Sequence, residues 1–297
     1  MTNIQQQETL QYFSSHAKDW QKKAENPGEG KINTIQQRNG FVINVIKGRK
    51  KIRSILDVGC GTGDLVCDVA RQGIDATGVD FAQDMIEIAL NKAKRDQLAK
   101  AHFNCCSIFD FNFSNQKFDV VSANGFIEYI SQNELNKFFD IVCDILYSNG
   151  SFVLGSRNRL FNIFSLNSFT QQELKESNFD ALLKESISLA SGQTIDEISK
   201  LKAVSLQRPD TQHIKTGIDV KTRFQYTPLQ LITMLNDRGF TAIEIYPIHI
   251  HCAPPIFKDK YPEIHASISN LLQTYAQYHI ELVPLSSSFM LHLRKGG

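Results

Sequence analysis

The 297-residue chain carries almost no net charge, with 32 lysines and arginines against 31 acidic residues. A balanced charge produces no global field that attracts nucleic acid or an anionic membrane. Long hydrophobic runs are also missing, and no window approaches the roughly 20 apolar residues that span a bilayer. We therefore expect a small-molecule partner, no nucleic acid and no membrane insertion.

Cysteine is sparse, and proline and glycine form no long tract. The six cysteines include neither the CxxC pairs of a zinc site nor the density of a disulfide scaffold. The glutamine-rich residues 1–10 lack the basic start and apolar stretch of a signal peptide. These absences predict a cytoplasmic protein with free thiols, existing as a monomer or a homodimer.

Short apolar runs alternate with helical periodicity between residues 54 and 154, which is typical of βαβ units and a parallel sheet. Further strands are predicted at residues 241–250 and 288–293. The fold class is therefore α/β: a Rossmann-like, mostly parallel seven-stranded sheet with helices on both faces and a helical lid insertion.

Domain boundaries follow from the same pattern. Residues 1–50 are expected to form an N-terminal helical cover, and residues 51–157 with 225–297 the Rossmann-like core. Residues 158–224 interrupt the sheet pattern and are predicted to form a helical substrate lid. Within this lid, the pairs Thr170 with Glu173 and Thr194 with Glu197 both match a capping box.

A glycine-rich turn, Asp57-Val58-Gly59-Cys60-Gly61-Thr62-Gly63, follows the first predicted strand. Ligands of open parallel sheets bind beyond the carboxyl ends of the strands, and glycines let them approach the backbone closely. The spacing G-x-G-x-G differs from the G-x-G-x-x-G of dinucleotide sites. Asp57 and Asp64 flank the turn, which disfavours a pyrophosphate and favours a cationic ligand. Asp80, at the end of the second strand, can accept hydrogen bonds from both hydroxyls of a ribose.

The turn, together with Gly78-Val79-Asp80, resembles the class I S-adenosylmethionine-dependent methyltransferases. Within this family, the chain resembles the ubiquinone-biosynthesis-like branch. The similarity lies in the number of residues between the turn and residues 118–121, and in the later motifs Tyr226-Thr227-Pro228 and Arg238-Gly239-Phe240. The resemblance covers about residues 50–156, and residues 226–245 more loosely. It implies S-adenosyl-L-methionine as cofactor and S-adenosyl-L-homocysteine as product.

The resemblance also implies roles for particular residues. The methionine part of the cofactor would lie against the turn, the ribose on Asp80, and the adenine between neighbouring side chains. Ser107 and Ile108 stand where the family usually has an aspartate beside the adenine. Trp20 and Arg38 would belong to a helical cover, but core packing explains these two residues equally well. The expected cofactor-binding residues are Trp20, Arg38, Asp57, Gly59, Cys60, Gly61, Gly63, Asp80, Phe81, Met85, Ser107, Ile108 and Asn124.

Methyl transfer to a hydroxyl benefits from a base that removes its proton. The family often has an acidic residue followed by histidine after strand four, but here Glu128 is followed by Tyr129. His213 lies in the insertion, and His249 and His251 should share one face of a strand. The catalytic candidates are therefore His213, His249, His251, Tyr129 and Glu128, each with a packing or exposed role as the alternative.

Arg157, Asn158 and Arg159 follow the fifth strand and are expected to bind a polar or anionic acceptor, with solvated arginines as the alternative. No metal set is predicted, because His249 and His251 have no carboxylate near them in the sequence. The sequence favours O-methylation of a small molecule, such as a saccharide or secondary metabolite. An N-methyltransferase, an NAD-dependent oxidoreductase and a non-catalytic cofactor-binding subunit remain the alternatives.

Overall fold

The structure is a computed structural model that describes residues 4–25, 31–208, 220 and 223–297. Its sheet has seven strands in the order β3-β2-β1-β4-β5-β7-β6. These are β1 (Ser54–Val58), β2 (Asp75–Asp80), β3 (Ala101–Cys105), β4 (Phe118–Asn124), β5 (Leu146–Arg157), β6 (Phe240–Ile250) and β7 (Ser286–Lys295). The first five are parallel to one another, and β7 is antiparallel to both β5 and β6. The predicted α/β class, with a Rossmann-like, mostly parallel seven-stranded sheet, is confirmed.

Twelve α-helices are assigned among the described residues, with short 3₁₀ turns between some of them. They are α1 (Ile4–Ser15), α2 (Ala17–Glu25), α3 (Thr34–Lys47), α4 (Asp64–Ala70), α5 (Gln83–Arg95), α6 (Gln132–Ile145), α7 (Ser168–Lys175), α8 (Phe179–Ala190), α9 (Ile195–Ile198), α10 (Pro228–Asn236), α11 (Pro255–Lys260) and α12 (Pro262–Gln273). In the same part of the chain, no helix has both the length and the apolar character needed to cross a membrane.

The core lies on both faces of the sheet because successive strand residues point to opposite sides. Leu56, Val121 and Phe152 pack into a large cluster with α6, α8 and α10. Their neighbours Ile55 and Val120 pack into a second cluster with α3 and α4. The near-continuous apolar runs of β1 and β4 follow from this burial on two sides.

Helix boundaries inside residues 158–224 agree with the sequence only in part. The capping box of Thr194 and Glu197 is present at the start of α9. The prediction of a capping box between Thr170 and Glu173 is wrong. The capping box at the start of α7 is formed by Asn167 and Thr170. The Glu173 carboxylate instead accepts hydrogen bonds from a buried arginine, which a local capping pattern cannot reveal.

Candidate cofactor and acceptor site

The glycine turn at the end of β1 adopts the backbone geometry that its sequence predicts. Gly59, Gly61 and Gly63 have φ angles of 69°, 52° and 73°, in the left-handed region that favours glycine. A Cβ on Gly63 would come within 2.7 Å of both the Ala89 Cβ and the Phe103 ring. Gly63 therefore permits close packing under the turn, whereas a Cβ on Gly61 would point toward Trp20, 3.9 Å from its indole nitrogen.

Asp80 ends β2 directly beside this turn. One carboxylate oxygen accepts a hydrogen bond from the Gly61 N–H at 3.0 Å, and the other accepts from the Ala82 N–H at 2.9 Å. Burial raises the pKa of the Asp80 carboxyl, and these backbone donors oppose that rise. Each carboxylate oxygen can accept more than one hydrogen bond, so Asp80 can hold the turn and still bind a ligand hydroxyl.

Asp57 provides a second carboxylate, which is buried at the carboxyl end of β1. Its side chain accepts a hydrogen bond from the Ser122 hydroxyl at 2.6 Å. Burial, together with the nearby Asp80 and Asp64, raises the pKa of Asp57 to about 7, although the Ser122 hydrogen bond lowers it. A cationic ligand at this point would stabilise the ionised carboxylate.

Asp64 contributes less negative charge than the sequence suggests. Lys92, on α5 and only 6% exposed, places its ammonium 2.6 Å from one Asp64 oxygen. The Thr62 hydroxyl donates to the other oxygen, also at 2.6 Å. Asp57 and Asp64 both flank the turn as expected, and the Lys92 ammonium compensates part of the Asp64 charge within the protein.

The N-terminal helices pack over the same edge of the sheet. Helices α1 and α2 contact α5, and α1 also contacts the 3₁₀ turn Ile127–Tyr129. Met85 is buried among Ala17, Leu10, Phe13 and Trp20. The structure thus places Trp20 and Met85 together beside the glycine turn, with Phe13 making an edge contact with the Trp20 ring at 5.5 Å.

Four other expected cofactor residues occupy different environments. Cys60 is buried and its pKa is raised well above the usual thiol value by burial, so the thiol stays protonated and packs against the glycine at position 78. Phe81 is half-buried after β2. Ser107 accepts a hydrogen bond from the Phe109 N–H at 3.3 Å. The Ile108 side chain packs into the core, so it is not available to an adenine. Only the backbone of Ile108 can contact the base.

Asn124 ends β4, and Arg38 lies against the next residue, Gly125. A Cβ on Gly125 would lie 2.5 Å from the Arg38 guanidinium, so glycine makes room for this arginine. Arg38 donates to the Ser288 hydroxyl at 2.9 Å. Its Nε and the Asn124 side-chain oxygen are buried without a hydrogen-bond partner among the described residues. Both atoms can therefore serve a bound ligand.

Glu128 lies at the centre of a group of arginines. One of its carboxylate oxygens accepts a hydrogen bond from the Arg157 N–H at 3.0 Å and lies 3.8 Å from the Arg38 guanidinium. Burial is the largest cause that lowers the pKa of the half-buried Arg157 side chain, and Arg223 and Arg38 lower it further. Glu128 raises the pKa of Arg157. Burial and the neighbouring Glu128 raise the pKa of Tyr129 to about 12. Tyr129 therefore keeps its proton at neutral pH and is a poor base.

Two of the three expected acceptor-binding residues are structural. The Asn158 amide donates to the carbonyls of Val283 and Ser286 at 2.7 and 2.9 Å. The Arg159 guanidinium is fully buried and pairs with both oxygens of Glu173, each at 2.8 Å. The prediction that Asn158 and Arg159 bind the acceptor is wrong, and so is the alternative of solvated arginines for Arg159. Of the three, only Arg157 lies in the group around Glu128.

His249 and His251 share one face, as predicted, with ring centroids 4.3 Å apart. Both are buried, and burial lowers the pKa of His251 to about 3 and that of His249 well below its ordinary value. The sequence shows no carboxylate near this pair, but the fold brings a third histidine, His265 of α12, against them. Sequence reasoning missed His265, which is separated from the pair by a whole helix. His213 lies outside the described residues.

Comparison with known proteins identifies the family to which the chain belongs. Residues 49–216, more than half of the chain, match the family model described as a methyltransferase domain. The ubiquinone biosynthesis O-methyltransferase of Coxiella burnetii is 32% identical over 130 residues, covering 43% of this chain and 53% of that protein. That of Pasteurella multocida is 27% identical and covers 56% and 70%, respectively. The chain thus spans about half the length of the Coxiella relative.

Among solved structures, magnesium protoporphyrin IX methyltransferase from Synechocystis PCC 6803 with bound S-adenosylmethionine shares the fold, with a TM-score of 0.57. It is 14% identical, and the match covers 99% of this chain and 100% of that one. The chain belongs to the methyltransferase-domain family, and the predicted resemblance to class I S-adenosylmethionine-dependent methyltransferases is confirmed.

Proposed function

We propose that this protein transfers the methyl group of S-adenosylmethionine to a hydroxyl oxygen of a polar small molecule, with saccharides the first class to test. The observation that carries the proposal is the pair of carboxylates, Asp57 and Asp80, beside the glycine turn. S-adenosylmethionine brings an ammonium that suits the buried Asp57 carboxylate and ribose hydroxyls that can donate to the Asp80 carboxylate. Transfer to oxygen is favoured because the Coxiella and Pasteurella relatives are O-methyltransferases by name.

Each part of the cofactor has a fitting group in this arrangement. The ribose hydroxyls would donate to Asp80, and the methionine ammonium would lie near Asp57. The unpaired Nε of Arg38 and the oxygen of Asn124 are suited to the methionine carboxylate and ammonium, respectively. The indole of Trp20 would then cover the cofactor from the side of α2.

The acceptor would lie at the carboxyl ends of β4 and β5. Arg38, Arg157 and Arg223 act on the same region, and Glu128 interacts with Arg38 and Arg157 there. Guanidinium groups bind carboxylates and phosphates in a bidentate way, so their presence near the reacting hydroxyl favours an acceptor that carries such an anionic group. An acidic sugar meets this requirement as well as the preference for oxygen.

Methyl transfer is an in-line displacement at the sulfonium carbon, so the protein mainly has to align the acceptor with the leaving sulfur. We assign proton removal to Glu128, because it is the candidate that touches the arginine group and is already held in place by the Arg157 N–H. The lid role of residues 158–224, the cytoplasmic location and the monomeric or dimeric state remain predictions.

An acceptor screen with methyl-labelled S-adenosylmethionine tests the proposal. The purified chain is incubated with neutral sugars, uronic acids, sugar phosphates, catechols and primary amines, and labelled products are identified by mass spectrometry. The proposal expects label on a hydroxyl oxygen, and more with acidic than with neutral sugars. Label only on the amines would replace it with N-methylation.

The role of Glu128 is tested by Glu128→Gln on the acceptor that reacts best. Loss of a general base typically lowers kcat by about 10²- to 10⁴-fold, and cofactor affinity should change little. Asp144→Asn, an exposed acidic position on α6, is the matched control. A kcat for Glu128→Gln equal to that of the control would exclude Glu128 as the base.

A further inference from the structure

Three histidines converge at the carboxyl end of β6. His249 is in that strand, His251 follows it directly, and His265 lies on α12. All three are buried, and one ligand nitrogen from each lies within 4.8 Å of the other two. Sequence separation hides this arrangement, because α11 and the turn before α12 intervene between the strand and His265.

The contacts inside this cluster leave imidazole nitrogens without a hydrogen-bonding role. The Nε2 atoms of His249 and His265 are 3.0 Å apart. Both ring nitrogens of His251, and Nδ1 of His265, are buried without a hydrogen-bond partner among the described residues. Buried polar atoms in native proteins nearly always have a partner, so these nitrogens indicate a ligand.

The backbone around the cluster is also specialised. His249 has a φ of 55°, a left-handed conformation that is uncommon outside glycine. Its N–H donates to the side-chain oxygens of Gln37 and Gln273, at 3.0 and 3.1 Å, so α3 and α12 both hold this residue. Strained residues that the surroundings fix in this way cluster at functional sites.

We propose that His249, His251 and His265 form a binding site for a divalent transition-metal ion, with zinc the first candidate. Three neutral imidazoles with a fourth position left for water or substrate are a recurrent zinc donor set. Zinc–nitrogen bonds of about 2.0–2.1 Å place such ligands roughly 3.4 Å apart, and the three ligand nitrogens already lie within 4.8 Å of one another.

The electrostatics of the cluster agree with neutral ligands. Burial is the largest cause that lowers the pKa of each of the three histidines, so all are neutral at physiological pH. Lys258 lowers all three as well, and Arg38 acts on His249. The Lys258 side chain is exposed, so solvent screens its repulsion of a bound cation.

The site is adjacent to, but distinct from, the proposed cofactor position. Gln37, which accepts from the His249 N–H, precedes Arg38 on α3, and Arg38 lies beside Glu128. A metal here would therefore lie against α3, the helix that also carries Arg38. Metal binding itself does not depend on the proposed methyl transfer and is measured without it.

The test is titration of the metal-stripped chain with Zn²⁺ in competition with a chromophoric chelator, and separately with Co²⁺. The wild type is expected to bind one metal ion per chain, with a cobalt spectrum of a four-coordinate nitrogen and oxygen site that lacks a thiolate band. His265→Gln and His251→Gln should each weaken zinc binding at least about tenfold. They should also remove the rise in Tm that zinc gives the wild type.

The matched control is His292→Gln, a buried histidine on β7 that bonds to Ser151 and lies outside the cluster. It should bind zinc like the wild type. Using two cluster variants keeps the test valid if one of them fails to fold. A wild type that binds no zinc, variants that bind it like the control, or a cobalt spectrum dominated by thiolate would overturn the proposal.

Discussion

The glycines of the turn after β1 share a left-handed backbone but have different surroundings. Gly63 lies against Ala89 and Phe103, so a side chain has no space there, whereas a Cβ on Gly61 would meet only the edge of Trp20. The sequence predicts the turn because only glycine adopts this conformation readily. It does not show which glycine is needed for packing and which leaves room for a ligand.

Substitution of Gly63 separates these two requirements. Gly63→Ala should lower the free energy of unfolding by about 2–5 kcal/mol, because left-handed strain and overpacking act together. Gly73→Ala is the control: its φ is 81°, but nothing lies within 4 Å of its Cβ position. It should cost only about 1–2 kcal/mol. Urea denaturation measures the free energy of unfolding of both variants. An equal loss in the two would show that the contacts with Ala89 and Phe103 do not contribute to the cost of Gly63→Ala.

Asp57 should couple cofactor binding to proton release. With a pKa of about 7 in the free protein, its carboxyl is about half protonated at pH 7. A bound cation favours ionisation, so binding should release up to about half a proton at pH 7, and affinity should rise with pH through this range. Calorimetry in phosphate and in Tris measures the released proton.

The control for this release is Asp84→Asn, an exposed position on α5. Asp57→Asn should abolish the proton release and weaken binding, while Asp84→Asn should change neither. Proton release that persists in Asp57→Asn would assign it to another group.

At the scale of elements, the segment after β5 is anchored by a buried ion pair rather than opened to substrate. Arg159 follows β5, and Glu173 lies in α7. Asn162 and Asn178 also donate to the Glu173 carboxylate, at 2.9 and 3.2 Å. This network fixes α7 against the core.

Glu173→Gln should lower the free energy of unfolding by about 3–5 kcal/mol, because it leaves the buried Arg159 charge without its partner. Glu176→Gln, one turn later on a half-buried position, is expected to cost less than about 1 kcal/mol. Chemical denaturation of both variants measures the difference. Similar stabilities would mean that the Arg159 charge is compensated by other groups.

Element order and type were largely predictable, because hydrophobic periodicity and capping residues are local signals. All seven strands and the glycine turn follow from them. Asn158 and Arg159 were misassigned because their partners lie far along the chain, at residues 173, 283 and 286. His265 was missed for the same reason, since spacing reveals a ligand set only when its members are close in sequence.

At the scale of the whole molecule, two buried carboxyls make stability depend on pH. Burial raises the pKa of Glu185 to about 7, as it does for Asp57, and Glu185 accepts a hydrogen bond from the Leu229 N–H at 2.9 Å. A raised pKa in the folded state means that the folded chain binds more protons than the unfolded chain. Their contribution to the free energy of unfolding is therefore fully present below the pKa values of the unfolded chain, near 4. It is lost as the pH rises through about 7.

Glu185→Gln should flatten this dependence. Between pH 5 and pH 8 its urea midpoint should fall less than that of the wild type, because the amide cannot ionise but can still accept from the Leu229 N–H. Glu176→Gln again serves as the control and should follow the wild type. A wild-type midpoint that rises with pH over this range would contradict the assigned direction.

The central claim is that the edge formed by β1, β2 and β4 binds S-adenosylmethionine through Asp80 and the glycine turn. The most direct test is calorimetric binding of S-adenosylmethionine, S-adenosylhomocysteine and NAD to the wild type and Asp80→Ala, with Asp84→Asn as control. We predict micromolar binding of the first two ligands, weakened in Asp80→Ala and unchanged in the control, and no binding of NAD. Binding of NAD alone, or equal cofactor affinity in Asp80→Ala and wild type, would contradict the account.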